Sequence, residues 1–226
     1  PMYLDNNLIG QPAAALRLVS KEVIRLSGMV KDIISGISDV SSLRDKQKKE
    51  KMQQSVEIVQ NLNERIVEYL ANLLSGGVLT EEQAAQSAGI MYVLSDVNRM
   101  ALLCGDILSV FSEEEQKNKK SFLTKEASKD LEKSLKLIGN MYDASLKVME
   151  TGDKDSAARI IKKRDKVLEL GLNLRKDHMK RVSTGKCKAA LTSSFSKIIH
   201  SIDRMSNSCV NIAEAVADSV DFAYFG

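Results

Sequence analysis

His200-Ser-Ile-Asp-Arg-Met-Ser-Asn-Ser-Cys-Val-Asn-Ile-Ala-Glu-Ala-Val216 decides how this chain is read, because an altered copy of it lies 105 residues earlier. From Ile198 onward the apolar residues Ile198, Ile202, Met205, Cys209, Ile212 and Val216 are spaced 4, 3, 4, 3 and 4, as in a helix that buries one seam. The earlier positions hold Val93, Val97, Met100, Cys104, Ile107 and Phe111, all apolar again. Arg204-Met205 falls on Arg99-Met100, and Cys209 falls on Cys104, so the copies share chemistry as well as period. A repeat on this scale predicts two copies of one folding unit.

Composition agrees with a helical repeat. Among 226 residues the only prolines are Pro1 and Pro12, Trp is absent, and Leu, Ala, Lys, Glu, Ser and Met are abundant. Alternating strand patterns closed by Asn-Gly turns are missing, which predicts an all-α chain. The three cysteines, Cys104, Cys187 and Cys209, form no CxxC pair, and two of them lie on the repeated seams, so they read as free thiols in a reducing compartment. No run approaches the roughly 20 apolar residues that span a bilayer, and no signal pattern opens the chain. These residues are therefore expected to be soluble, and the start at Pro1 rather than Met suggests a processed protein or a piece of a longer one.

The net charge of +3 does not point to nucleic acid. Basic residues cluster at Arg44–Lys51, Lys162–Lys166 and Arg175–Arg181. Two readings stay open for them: solvated helix faces, and a surface that lies near anionic lipid.

In chain order, a first helix is expected from Pro12 to about Ser38, with Leu16, Val19, Val23, Leu26, Val30, Ile33 and Ile37 inward. Ser42 followed by Asp45 opens a second helix, which Gly76-Gly77 stops. Thr80-Glu-Glu-Gln83 is a capping box that opens the third, expected to end near Phe111. The polar stretch from Ser112 to Lys120 marks a boundary, with a polar helical continuation through it left open, giving a first three-helix bundle over 1–112, a linker over 113–123 and a second bundle over 124–226. Helix four is expected from about Thr124 to Met149, and Asp153 caps helix five, whose inward residues read as Ile161, Leu168, Leu172, Met179 and Val182. Helix six runs from about Lys188 to Val220, and the aromatic tail Phe222-Ala-Tyr-Phe225 is expected to dock on a neighbouring surface. The architecture is thus two tandem three-helix bundles related by a pseudo-repeat.

Opposite the seam of helix six, Asp203, Asn207, Asn211, Glu214 and Asp218 share one outward stripe. Such an oxygen-only set suits a hard or borderline divalent cation, with Asp165 and Glu169 of helix five as added carboxylates. The ordinary polar face of an amphipathic helix explains the same stripe. The corresponding positions in the first unit are Asn98, Leu102, Asp106, Ser109 and Glu113, where Leu102 cannot ligate. His178 and His200 belong to no HExxH or Glu-x-x-His pattern, and GxGxxG, GxxxxGK[ST] and GxSxG are all absent. No nucleophile stands beside a base, so no enzymatic activity is expected.

Asp203-Arg-Met-Ser-Asn207, continuing into Asn211-Ile-Ala-Glu214, resembles the repeated helix motif of the PhoU phosphate-uptake regulators, with Ser206-Asn207 in place of Gly-Asp and Ser208 in place of His. Further residues are similar to the PhoU-like cytoplasmic region that follows the membrane part of NptA-type sodium/phosphate cotransporter-related proteins. These are the opening Tyr3-Leu-Asp5, then Pro12, Lys21-Glu22 and Arg25-Leu26, and finally Arg175-x-x-His178-x-x-Arg181-Val182-x-x-Gly185-x-Cys187. The resemblance implies a non-catalytic regulatory domain on the cytoplasmic face of the cell membrane, acting on sodium-dependent phosphate uptake. It implies the transmembrane part of the same chain as partner, contact with the inner membrane surface, and self-association, without nucleic acid. An iron/zinc-type or other divalent cation is the cofactor that some members of the family hold; here the motif positions are Asp203, Asn207 and Asn211, with Asn98, Leu102 and Asp106 in the first unit. The alternatives are a free-standing PhoU-type regulator and a plain helical interaction module.

Overall fold

The computed structural model describes residues 1–77, 79–117 and 122–218. Six long helices account for most of them: α1 (Pro12–Ser38), α2 (Lys46–Ser75), α3 (Glu81–Lys117), α4 (Lys125–Thr151), α5 (Lys154–Ser183) and α6 (Thr192–Asp218). Short 3-10 turns at Asn6–Leu8, Ser42–Arg44 and Ala189–Leu191 lead into α1, α2 and α6. No strand occurs among the described residues.

Local chemistry sets most of the helix ends. Pro12 occupies the first turn of α1, where its missing N–H would have no partner anyway. The Asp45 carboxylate, rather than Ser42, caps α2 by accepting from the N–H groups of Gln47 and Lys48 at 2.9 and 3.3 Å. The Thr80–Gln83 box closes reciprocally: Thr80 Oγ1 accepts from the Gln83 N–H at 3.2 Å and Gln83 Oε1 accepts from the Thr80 N–H at 3.0 Å. Gly152 ends α4 at φ +67°, a left-handed conformation that a Cβ would strain, and Asp153 then caps α5.

Two expectations about helix limits change. Helix α3 does not stop near Phe111 but runs to Lys117, so residues 113–117 of the expected linker are helical. Glu114 provides the physical reason, since this carboxylate is buried against α6 and accepts from Ser194 Oγ at 2.7 Å. Nearby, the buried Lys49 ammonium of α2 pairs with Glu115, so two tertiary contacts hold the polar turn in place. Helix α6 opens at Thr192 rather than Lys188, after the 3-10 turn. Residues 118–121 of the linker and the aromatic tail lie outside the described residues, while Phe122 at the linker's end is buried edge-on against Phe111.

The helices form two groups of three, α1–α2–α3 and α4–α5–α6. The most extensive contact in the molecule joins the two repeat helices, α3 and α6. They run antiparallel: Asp96 meets Asn211 at one end of the pair, and Glu114 meets Ser194 at the other. Behind them α1 and α4 also run antiparallel, Gly139 facing Ile34 while the buried Tyr142 hydroxyl donates to the Ser27 carbonyl at 3.1 Å, and Lys31 pairs with Asp143 at 3.1 Å. One continuous apolar core therefore spans both groups, running from Leu16, Leu26 and Leu70 to Ile138, Met205 and Ile212. All six seam residues of each repeat copy are buried, as the 3/4 spacing predicts. Burial of each such side chain stabilises by about 1.5–3 kcal/mol, so the seams dominate the packing energy. Cys104 and Cys209 are free and fully buried, and burial pushes both thiols far above their usual titration range, which leaves them inert.

Helix α5 overturns the expected inward face. Leu168, Leu172 and Met179 are 37, 64 and 55% exposed, while Ala157, Ile160, Val167, Gly171, Leu174 and His178 face inward. The chain carries two apolar stripes on this helix, and the one containing Gly171 wins because it allows α6 to approach closely. A Cβ on Gly171 would stand 2.8 Å from Asp203 Oδ1.

Candidate functional site

Asp203, the first acidic residue of the repeated motif, projects from α6 toward α5 at the Gly171 contact. Its Oδ2 accepts from Arg175 Nη2 at 3.0 Å, and the pair is partly buried, with side-chain exposures of 16% for Asp203 and 37% for Arg175. Oδ1 is buried and makes no hydrogen bond among the described residues. The geometry follows from helix period: Gly171 and Arg175 are four residues apart and share the face of α5 that meets α6. A guanidinium fork beside a carboxylate fixes both orientation and charge at this crossing.

The other motif positions disperse along the α3–α6 contact. Asn207 is exposed. Asn211 Nδ2 donates to Asp96 Oδ1 at 3.2 Å, and Arg99 lies 4.0 Å from the same oxygen. Asp96 thus joins the two repeat helices although it stands outside the motif stripe identified in the sequence. In the first unit Asn98 is half-buried with an unpartnered Oδ1, Leu102 is 40% exposed and Asp106 is exposed.

Asp165 and Glu169 do not join Asp203. Both are exposed on α5 and turned to solvent, because the face of α5 toward α6 is taken by Gly171 and Arg175. Among the described residues no three His, Cys, Asp or Glu side chains converge on a point where a metal ion could sit. The residues near Asp203 do not fit a resident cation: its carboxylate is already paired with a guanidinium, Asn211 is engaged by Asp96, and Asn207 stands apart. What the arrangement does chemically is hold the α5–α6 and α3–α6 contacts in register through charge and amide pairs.

The basic segment before α6 closes on itself. His178 is buried and stacks on Phe195 with ring centroids 4.5 Å apart, and its Nε2 lies 3.0 Å from Thr192 Oγ1. Burial, reinforced by the Arg181 charge, lowers its pKa below the ordinary imidazole value. His178 is therefore a neutral packing group that ties the end of α5 to the start of α6. The Cys187 thiol sits 4.0 Å from Nδ1 of the same ring.

Sequence reasoning missed a second polar centre. Glu22 is fully buried on the inner face of α1, where its carboxylate accepts from the N–H groups of Met2 and Tyr3 at 2.8 and 2.7 Å and from Arg25 Nε at 2.8 Å. Burial alone would raise its pKa; the bonds from Tyr3, Arg25 and Met2 outweigh it and leave the carboxyl below the ordinary range. Tyr69 of α2 donates to the Asp5 carbonyl at 2.8 Å and fastens the same segment. The signal was legible, since Glu22 falls between Val19 and Leu26 on the apolar stripe with Arg25 one turn on.

Comparison with known proteins follows the same lines as this geometry. Residues 131–216, from α4 to the end of the α6 seam, match the family model of the PhoU domain. No curated protein matches the chain. Among solved structures, the chain is similar to the phosphate transport system regulatory protein PhoU from Streptococcus pneumoniae, at 18% identity and TM-score 0.77, covering 91% of this chain and 95% of that one. PhoU from Pseudomonas aeruginosa superposes at TM-score 0.80 with 12% identity, covering 89 and 94%. A PhoU-like protein from Shewanella oneidensis MR-1 superposes at TM-score 0.56 with 12% identity, covering 92 and 97%. These likenesses establish a shared all-helical fold along nearly the full length of each chain.

Proposed function

We propose that the chain is a non-catalytic regulator of phosphate uptake that works by docking its helical surface on components of a phosphate transport system. The observation that carries this reading is the antiparallel pair of motif helices, α3 and α6, inside a fold shared end to end with phosphate regulatory proteins. Supporting it, the motif residues hold helices in register rather than converge around a reacting atom. A regulator of this kind acts through the relative positions of packed helices, and the Arg175–Asp203 and Asn211–Asp96 links are the polar contacts that a shift would have to break. The test is uptake of radiolabelled phosphate by cells with and without the gene, at low and at high external phosphate. Loss of the gene is expected to change how uptake responds to supply; identical responses would overturn the proposal. The purified chain is expected to leave phosphate esters intact.

A second reading, the cytoplasmic domain of a sodium-dependent phosphate transporter, is favoured by one observation. Of the residues that carry the resemblance to that family, Tyr3 and Arg25 both bind the Glu22 carboxylate, and the Asp5 carbonyl of the same opening segment is held by Tyr69. A segment held this way would couple anything attached ahead of it firmly to α1. Reading the coding sequence upstream of Pro1 decides between the two. Several apolar stretches of about 20 residues each would support a tethered domain on the inner membrane face with the transmembrane part of its own chain as partner. A start codon directly before Pro1 would support the free-standing regulator.

A further inference from the structure

Helix α5 is one of the two outermost helices, packed chiefly against α4 and α6, and its outward side carries an apolar stripe that is anchored on the core at the partly buried Ile161 and exposed at Leu168, Leu172 and Met179. Ile161, Leu168, Leu172 and Met179 are spaced 7, 4 and 7 and so stand within a narrow arc of the helix. Its exposed part, from Leu168 to Met179, extends about 16 Å at 1.5 Å per residue. Leu172 and Met179 are 64 and 55% exposed, among the larger exposures of any big apolar residue described.

Charge gathers on the same helix. It carries ten Lys and Arg against four Asp and Glu. Lys162, Lys163, Lys166, Lys176 and Lys180 are exposed and make no ion pair among the described residues, although Asp165 and Glu169 stand among them. The pseudo-repeat supplies an internal control. Helix α2 is the outer helix of the other group; it carries five basic and four acidic residues, and its exposed apolar residues, Ile58 and Leu74, form no continuous stripe. The fold does not require the pattern on α5.

We infer that the outer face of α5 binds an anionic lipid surface, with Leu168, Leu172 and Met179 seated at the headgroup boundary and the lysines reaching lipid phosphates. Charge complementarity argues for this occupant, since lysines with long apolar stems can lie along the boundary while their ammonium groups stay in the headgroup layer. A second copy of the chain would set one lysine row against another. The stripe also lies on the outer crest of a helix rather than in a groove, which suits a flat surface better than a single docked helix. The inference rests on the exposure and charge of α5 alone and stands or falls apart from the phosphate reading.

The test is co-sedimentation of the full chain with vesicles of phosphatidylcholine alone and of phosphatidylcholine mixed with phosphatidylglycerol. Binding is expected only to the mixed vesicles, weakening as salt rises. Each Lys→Gln change at Lys162, Lys166 or Lys176 is expected to lower partitioning about fivefold, and the double variant Leu172→Ser/Met179→Ser is expected to abolish it. All these side chains are exposed, so the variants should keep the helical circular dichroism of the parent. Ile58→Ser on α2 is expected to change nothing. Failure of the parent chain to bind anionic vesicles, equal binding to both vesicle types, or α5 variants that bind like the parent would each overturn the inference. So would an acidic helical protein that binds α5 while the vesicles do not.

Discussion

Gly171→Ala and Gly28→Ala make the same chemical change in two helices of nearly equal length, and the structure assigns them opposite signs. In a helix interior, alanine is favoured over glycine by about 1 kcal/mol because it loses less backbone freedom on folding. At Gly28 of α1 an added Cβ meets nothing within 4 Å, so that gain should appear almost in full. At Gly171 the added Cβ would lie 2.8 Å from Asp203 Oδ1, 3.4 Å from Ile199 Cγ2 and 3.5 Å from Arg175 Nη1. Relief requires either that α5 and α6 separate or that Asp203 turns and gives up its 3.0 Å bond to Arg175. Overpacking of this kind costs about 1–3 kcal/mol, and loss of a partly exposed ion pair adds at most about 1 kcal/mol. The clash outweighs the propensity gain, leaving Gly171→Ala destabilised by about 1–2 kcal/mol. In a chain of this size 1 kcal/mol moves Tm by about 2–4 °C. Thermal unfolding followed by circular dichroism should therefore show Gly171→Ala melting about 2–8 °C lower and Gly28→Ala about 2–4 °C higher than the parent. If Gly171→Ala melts at or above Gly28→Ala, the close α5–α6 contact at Asp203 is wrong.

Glu22→Gln replaces an acceptor-only carboxylate by an amide that can accept through one oxygen only, and it removes the charge that Arg25 pairs with. The amides of Met2 and Tyr3 are expected to lose hydrogen-exchange protection, with a stability loss of about 2–4 kcal/mol; unchanged protection would refute the clamp. The depressed pKa of Glu22 means that its contribution is complete above the ordinary glutamate value and fades as pH falls through the lower folded value, so the same amides should be released in acid. His178 is also lowered, so the unfolded chain binds its proton first, and stability should fall as pH drops below about 6.5. His178→Gln is expected to flatten that slope in pH-dependent urea melts, and an unchanged slope would mean that the ring is not held neutral.

How far the sequence reaches depends on whether a feature is local or relational. The 3/4 spacing from Ile198 to Val216 and its copy from Val93 to Phe111 determined two equivalent buried seams, because a helix of 3.6 residues per turn can bury such a stripe on only one side. Caps at Thr80 and Asp153 were equally legible, since a capping side chain binds amides two or three residues ahead. Tertiary structure alone decided the face of α5. Its two apolar stripes are similar in period, and the choice between them turned on how closely α6 could approach Gly171, a distance that belongs to neither helix by itself. The same holds for the motif stripe on α6. Asp203, Asn207 and Asn211 share a side of one helix, but Arg175 and Asp96, from two other helices, determine what the first and last of them do. Asp165 and Glu169 were candidates by spacing and are excluded from that contact by the rotation of α5 about its own axis. Helix period and capping are written in the order of residues, whereas the rotation and separation of helices are set by how side chains from distant parts of the chain interlock.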